Sequence, residues 1–157
     1  MIKILFVCHG NICRSPMAEF VMKDMAQKQG IADKLYIASA ATSTEEIGNP
    51  VHYGTRNKLK QYGISVDGKT AVQLTKTDYD KYDYIIGMDD QNMRNIMRII
   101  RSDPENKVYK LLAISGNGRD VADPWYTGDF DVTYDDISEG CTALMNNIRS
   151  KYKFGKR

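Results

Sequence analysis

An α/β architecture, a parallel sheet with helices on both faces, is what this sequence predicts. Three observations predict it. Short apolar runs alternate with longer segments of helical spacing along the whole chain. A helix-length stretch separates each run from the next, as right-handed crossovers between parallel strands require. The 157 residues suit a single domain, 1–157. A chain of that size buries roughly 70% of its unfolded surface, enough for a proper core.

Each element has its own signal. Ile2–Val7 is an apolar run of strand length. Met17–Gln29 is a helix with Met17, Val21 and Met25 on one face, ending near Gly30. Leu35–Ala38 is a short second strand. Pro50–Tyr62 reads as a helix closed by Gly63. Tyr82–Met88 is the third strand, and Asp90–Arg101 a helix stopped by the turn Ser102-Asp103-Pro104. Lys107–Leu112 is the fourth strand. Asp131–Tyr152 holds the last helix, with Ile137, Cys141, Leu144 and Ile148 spaced for burial. In such sheets ligands bind beyond the carboxyl ends of the strands.

Bulk properties narrow the function. With 22 basic and 20 acidic residues, the net charge of +2 gives no reason to expect a nucleic-acid or membrane partner. No apolar run approaches the ~20 residues of a membrane span, and no signal peptide is expected before the first strand. Three cysteines suit a reducing cytoplasm, the expected location, and a monomer is the expected form.

The chemistry concentrates in Val7-Cys8-His9-Gly10-Asn11-Ile12-Cys13-Arg14-Ser15-Pro16, between the first strand and the first helix. Gly10 and Asn11 tolerate the backbone angles of a tight loop. Such a loop can turn its N–H groups inward, and the helix behind it adds a positive dipole end. The result is a cradle for a phosphate-like dianion with a sulfur at its floor. A cysteine at a helix N-terminus beside an arginine is in the setting that makes a thiol a nucleophilic thiolate. Arg14 offers a planar fork that suits phosphate oxygens. Ser15 is placed to cap the helix or to donate to the thiolate, and Pro16 costs no hydrogen bond in a first turn. Cys8 alone would read as a buried core residue. The full string at a strand–helix junction makes it a nucleophile.

Transfer of a phosphoryl group from an ester needs a protonated leaving oxygen. The candidate acid is Asp123, in Val121-Ala122-Asp123-Pro124-Trp125-Tyr126, within a long polar segment before the last helix. Trp125 and Tyr126 supply flat walls for an aromatic ring. By itself the stretch reads equally well as a surface turn. Beside Cys8 and Arg14, it reads as the acid.

These residues, with Met17-Ala18-Glu19, Ala38-Ser39-Ala40 and Gly87-Met88-Asp89, resemble the low-molecular-weight protein tyrosine phosphatases over nearly the whole chain. The resemblance implies a flavodoxin-like, three-layer fold with a four-stranded parallel sheet. It implies hydrolysis of phosphotyrosine on proteins, without metal or cofactor, through a phosphocysteine on Cys8. It implies Arg14 as phosphate binder and Asp123 as acid, then base. His9, Gly10, Asn11, Ile12, Cys13 and Ser15 would surround the phosphate, with Trp125 and Tyr126 beside the ring. Asn11, Ser15 and Ser39 match positions that hold the loop in the family, and Asp89 one that braces it. Tyr126 matches a tyrosine phosphorylated in some members. Cys13 matches a partner for a reversible disulfide with Cys8 under oxidant, which would make the enzyme redox-regulated.

Departures from the family pattern matter as well. Thr44-Glu45-Glu46 stands where a bulky aromatic is common, so the rim loses a wall and gains two carboxylates. The expected consequence is a preference for basic residues around the phosphotyrosine. A histidine that supports the loop in animal members is missing, and Gly68-Lys69 falls nearby. The main alternative is a protein-arginine phosphatase, which typically carries threonine where this chain has Ile12. A thiol-dependent arsenate reductase needs a late cysteine relay, whereas Cys141 lies on an apolar helix face. A non-catalytic anion-binding module would not need Cys8, Arg14 and Asp123 all intact. A metal site from Cys8, His9 and Cys13 lacks a second ligand pair. His9 is expected on the loop surface and His52 on a solvated helix end. The pairs Asp89-Asp90 and Asp135-Asp136 are expected to compensate helix dipoles.

Overall fold

The computed structural model describes residues 1–154, so the last three residues of the expected domain lie outside the described residues. Its strands are β1 (Ile2–Cys8), β2 (Leu35–Ala41), β3 (Tyr84–Gly87) and β4 (Val108–Lys110), all parallel, in the order β2-β1-β3-β4. The helices are α1 (Arg14–Lys28), α2 (Tyr53–Lys60), α3 (Asp78–Lys81), α4 (Asp90–Ile100), α5 (Leu111–Ile114), α6 (Pro124–Thr127) and α7 (Phe130–Tyr152). The expected α/β layers are present.

Alternation along β1 builds two cores. Ile4, Phe6 and Cys8 face α1 and α7, where Met17, Met22, Ile137, Cys141, Leu144 and Ile148 close over them. Leu5 and Val7 face the other way, onto Ile96 and Ile100 of α4 and Tyr79 of α3. Helices therefore cover both faces. Parallel pairing brings the carboxyl ends of all four strands to one edge, and the Cys8 loop leaves the inner strand β1 there. At the opposite edge, Asp83 exchanges hydrogen bonds with the backbone of Lys3. Asp103 accepts from Tyr79 Oη and from the amides of Lys107 and Val108.

Several boundaries differ from expectation. Helix α1 starts at Arg14, three residues early, because Pro16 fits anywhere in a first turn, where its missing N–H has no intrahelical partner. Cys13 is the N-cap residue, so Ser15 does not cap this helix. Helix α2 starts late because Pro50 bridges to Thr70 and His52 caps it, Nδ1 accepting from the Gly54 amide. Strand β4 stops at Lys110, and Leu111–Ile114 turns into α5. A short apolar run does not distinguish strand from helix. Gly140 settles it from far along the chain: a Cβ there would lie 2.3 Å from Leu111 Cγ, so glycine lets α7 close over α5.

Candidate active site

The Cys8 loop is shaped by what its carbonyls do. Those of Cys8 and His9 accept from the amides of Thr42 and Ser43 after β2. Those of Ile12 and Cys13 accept from His52 N and Thr55 Oγ1. A trans peptide sets its N–H opposite its carbonyl. With these four carbonyls tied outward, the amides of His9, Gly10, Cys13 and Arg14 turn into the loop. Asn11 takes the left-handed conformation, with φ 60°. Gly10 does not; its role is spatial, because a Cβ there would come within 3.3 Å of Glu46 Cγ.

Two amides and a hydroxyl surround the Cys8 sulfur. The amides of Asn11 and Ser15 point at Sγ from 3.3 and 3.4 Å, and Ser15 Oγ lies 3.0 Å away. Ser15 N is one of the amides a helix start leaves unpaired, so the helix directs it to the sulfur. Asn11 Nδ2 donates to Ser15 Oγ and Ser39 Oγ, and its Oδ1 accepts from Val72 N. The loop is thus pinned to β2 and to the segment after Lys69.

Arg14 is 3% exposed yet charged. Nη1 donates to Asp89 Oδ2 at 2.8 Å and to the Val121 carbonyl at 3.1 Å; Nη2 reaches Asp123 Oδ2 at 3.3 Å. Burial alone would lower its pKa, but Cys8, Asp123 and Asp89 outweigh it and hold the guanidinium above the ordinary arginine value. Nη1 is therefore an anchored edge, and Nη2 the edge available to an anion. Asp89 also caps α4 by accepting from Asn92 N, so its place near a helix start is more than dipole compensation.

Asp123 sits on a tethered segment. Val121 N donates to the Met88 carbonyl, Ala122 N to Asp136, and Thr133 Oγ1 to the Ala122 carbonyl. Asp136, expected only to offset a dipole, holds the backbone beside Asp123 and also pairs with Arg119. Asp123 Oδ1 caps α6 through Trp125 N.

A cavity of about 310 Å³ opens above Cys8. Cys8, His9, Gly10, Ile12, Cys13 and Arg14 line it from the loop, while the Asn11 and Ser15 side chains turn behind it into the hydrogen-bond network. Asp89, Asp123, Trp125 and Tyr126 also reach it. Trp125 and Tyr126 are 62% and 85% exposed, so they stand as open walls. Glu45 and Glu46 reach its mouth, the first bonded to His9 Nε2 at 2.9 Å and the second to Asn49. Burial first, then the nearby Cys8 and Asp123, push the Cys13 thiol up to about 12, so it is protonated at neutral pH.

Sequence reasoning missed five contributors to this region. Gln91 and Asn92 line the cavity. His52 is part of an aromatic cluster, stacked on Tyr53 and Phe130 and edge-on to Trp125 at 6.0 Å, rather than a solvated helix end. Glu19, 4% exposed, accepts from Ser39 Oγ at 2.6 Å and pairs with Lys23. Lys69 donates to the Ser39 carbonyl at 2.8 Å and lies 3.6 Å from Glu19, near where the animal histidine is absent. Burial lowers the Lys69 pKa, against the upward pull of Glu19. Only the Glu19 motif carried a signal in sequence. Among the described residues, no group of three or more His, Cys, Asp or Glu is placed to hold a metal ion.

A cysteine ringed by amides, with an arginine and a carboxylate converging above it at the carboxyl edge of a parallel sheet, is an arrangement suited to a phosphatase. Comparisons with known proteins narrow that class. The family model described as low molecular weight phosphotyrosine protein phosphatase matches residues 3–154. The low molecular weight protein-tyrosine-phosphatase YfkJ of Bacillus subtilis is 40% identical over 153 residues, covering 96% of this chain and 98% of that one. Its crystal structure covers 97% of each chain with a TM-score of 0.93. PtpA of Staphylococcus epidermidis, named likewise, is 40% identical and covers 94% of both chains. SP-PTP, the low molecular weight protein tyrosine phosphatase of Streptococcus pyogenes, is 44% identical, with a TM-score of 0.86 over 98% of this chain and 97% of that one. The chain belongs to the low-molecular-weight phosphotyrosine protein phosphatases.

Proposed function

We propose that this enzyme hydrolyses phosphotyrosine on proteins, with Cys8 as nucleophile, Arg14 as phosphate binder and Asp123 as general acid and base. The convergence of two amides and the Ser15 hydroxyl on Cys8 Sγ carries the reading, because it holds a sulfur nucleophile in place beneath the inward amides. The phosphate of the substrate takes the inward amides and Nη2 of Arg14. Cys8 Sγ attacks phosphorus, and the P–O bond to the tyrosine breaks. Asp123 gives its proton to the leaving oxygen. Arg14 and the amides stabilise charge on the equatorial oxygens. Asp123 then takes a proton from water, which attacks the phosphocysteine and releases phosphate and the thiolate.

Ile12 and Trp125 favour an aromatic ring over a guanidinium in the cavity. We place the enzyme in the cytoplasm as a monomer. Its three cysteines are free thiols, which suits a reducing compartment. No helix among the described residues is long and apolar enough to cross a membrane. The test is phosphate release from a phosphotyrosine peptide and from phosphoarginine, side by side, with EDTA present. Turnover of the phosphotyrosine peptide alone, abolished by Cys8→Ser, is expected. Preference for phosphoarginine would overturn the substrate assignment.

A further inference from the structure

The buried charges behind the active-site loop are not used by the mechanism above, and they give the loop a direction. Glu19 Oε1 can only accept, so the single Ser39 hydroxyl proton goes to it, at 2.6 Å. Ser39 Oγ must then accept from Asn11 Nδ2, at 2.9 Å. The Asn11 amide is thereby oriented, its oxygen on Val72 N and its second proton on Ser15 Oγ at 2.8 Å. Ser15 Oγ, having accepted, turns its own proton to Cys8 Sγ at 3.0 Å, the Ala40 carbonyl lying farther off at 3.5 Å. With the Ser39 proton drawn to Glu19 and both Asn11 amide protons committed to the two serines, the hydroxyl proton of Ser15 is the one left to face the sulfur.

That far end is charged and buried, and an isolated buried carboxylate is costly. Lys23 compensates one oxygen, Oε2, from a half-exposed position. The oxygen that faces Ser39 has Lys69, whose side chain is 12% exposed and whose ammonium also holds the Ser39 carbonyl. The groups facing Lys69 are Glu19 and Lys23 of α1 and Cys8 of β1, together with that carbonyl of β2.

We infer that Lys69 is a positioning residue for the nucleophile: by fixing the Glu19 carboxylate against Ser39, it sets the polarity of the Ser39–Asn11–Ser15 relay that delivers a proton donor to Cys8 Sγ. This rests on the assignment of Cys8 as the thiolate nucleophile. Without the Lys69 cation, the Ser39 hydroxyl is free to turn and the relay loses its fixed sense.

The experiment follows Cys8 alkylation by iodoacetamide against pH, with the modified residue mapped by mass spectrometry, in the parent, Lys69→Met and Lys69→Arg. It needs no turnover, so failure of the tyrosine-phosphatase reading leaves it intact. Loss of one charge-assisted hydrogen bond to the thiolate predicts alkylation at neutral pH about tenfold slower in Lys69→Met. The same variant is expected to lower kcat on a phosphotyrosine peptide by about the same factor with KM within about twofold, and Lys69→Arg to recover most of both. Glu19→Gln, which replaces the acceptor by an amide able to donate, should match Lys69→Met. If Lys69→Met fails to fold, Lys69→Gln takes its place in the same comparison. An alkylation profile in the folded, uncharged Lys69 variant that superimposes on the parent would overturn the inference.

Discussion

Replacing Asn11 by alanine should cost this protein more than any other single change in the loop that leaves the reacting groups in place. The side chain is 1% exposed and makes three hydrogen bonds, to Val72 N, Ser39 Oγ and Ser15 Oγ. At a net value of about 1 kcal/mol each, their loss removes roughly 3 kcal/mol. Alanine must also adopt the left-handed conformation that Asn11 holds at φ 60°, at a further cost of about 1 kcal/mol. The total for Asn11→Ala is about 4 kcal/mol, against about 3 kcal/mol for Asn11→Gly, which is free of the conformational penalty. For a domain of this size, 4 kcal/mol corresponds to a Tm lower by about 8–16 °C. Urea and thermal melts of both variants, with kcat on a phosphotyrosine peptide, measure each part. Asn11→Ala within about 1 kcal/mol of the parent would refute the hydrogen-bond accounting. Equal stability of the two variants would refute the conformational part.

The remaining expectations concern the cavity. Asp123→Asn should lower kcat on phosphotyrosine by about 10²–10⁴-fold, and far less on aryl phosphates whose leaving groups need no proton. A uniform loss across leaving groups would remove Asp123 as the acid. The acidic mouth predicts faster turnover of phosphotyrosine peptides flanked by lysine or arginine. Glu45 and Glu46 are partly engaged by His9 and Asn49, so each should contribute at most about fivefold in kcat/KM. Unchanged selectivity in Glu45→Gln with Glu46→Gln would exclude that role. Under peroxide, the Cys8 thiolate becomes a sulfenic acid, and condensation with the Cys13 thiol releases water and forms a disulfide. Cys13→Ser should therefore recover less activity after reductant is added, and recovery equal to the parent would exclude protection by Cys13.

What the sequence revealed follows the range of the forces involved. Strand and helix identities rest on local periodicity, and the Cys8–Pro16 string is local too, so both were legible. The start of α2 depends on Pro50 bridging to Thr70, and the end of β4 on Gly140 making room for Leu111. Neither dependence is written near the element it governs. The same holds in the site. Cys8, Arg14 and Asp123 announce themselves by residue type and by the motifs around them. Asp136, His52 and Lys69 act through partners far away in the chain, and nothing local sets them apart from surface residues. Ser39 was visible only through resemblance. By residue type Gly10 and Asn11 both suit the backbone angles of a tight loop, whereas only Asn11 takes a left-handed conformation and Gly10 lies close against Glu46.

The parallel register also divides the molecule into two ends with different tolerances. All four strands finish at the catalytic edge, so each loop there shares hydrogen bonds with the next, and a change in one disturbs several. At the other edge, Asp83 ties β1 to β3 and Asp103 gathers the start of β4, far from the sulfur. Substitutions at that edge are felt as heat sensitivity alone, those at the catalytic edge as lost turnover, joined by heat sensitivity where a buried side chain such as Asn11 is removed. Robustness is thereby adjustable from the far edge alone, and such an enzyme can be adapted to a warmer or colder setting without retuning its nucleophile.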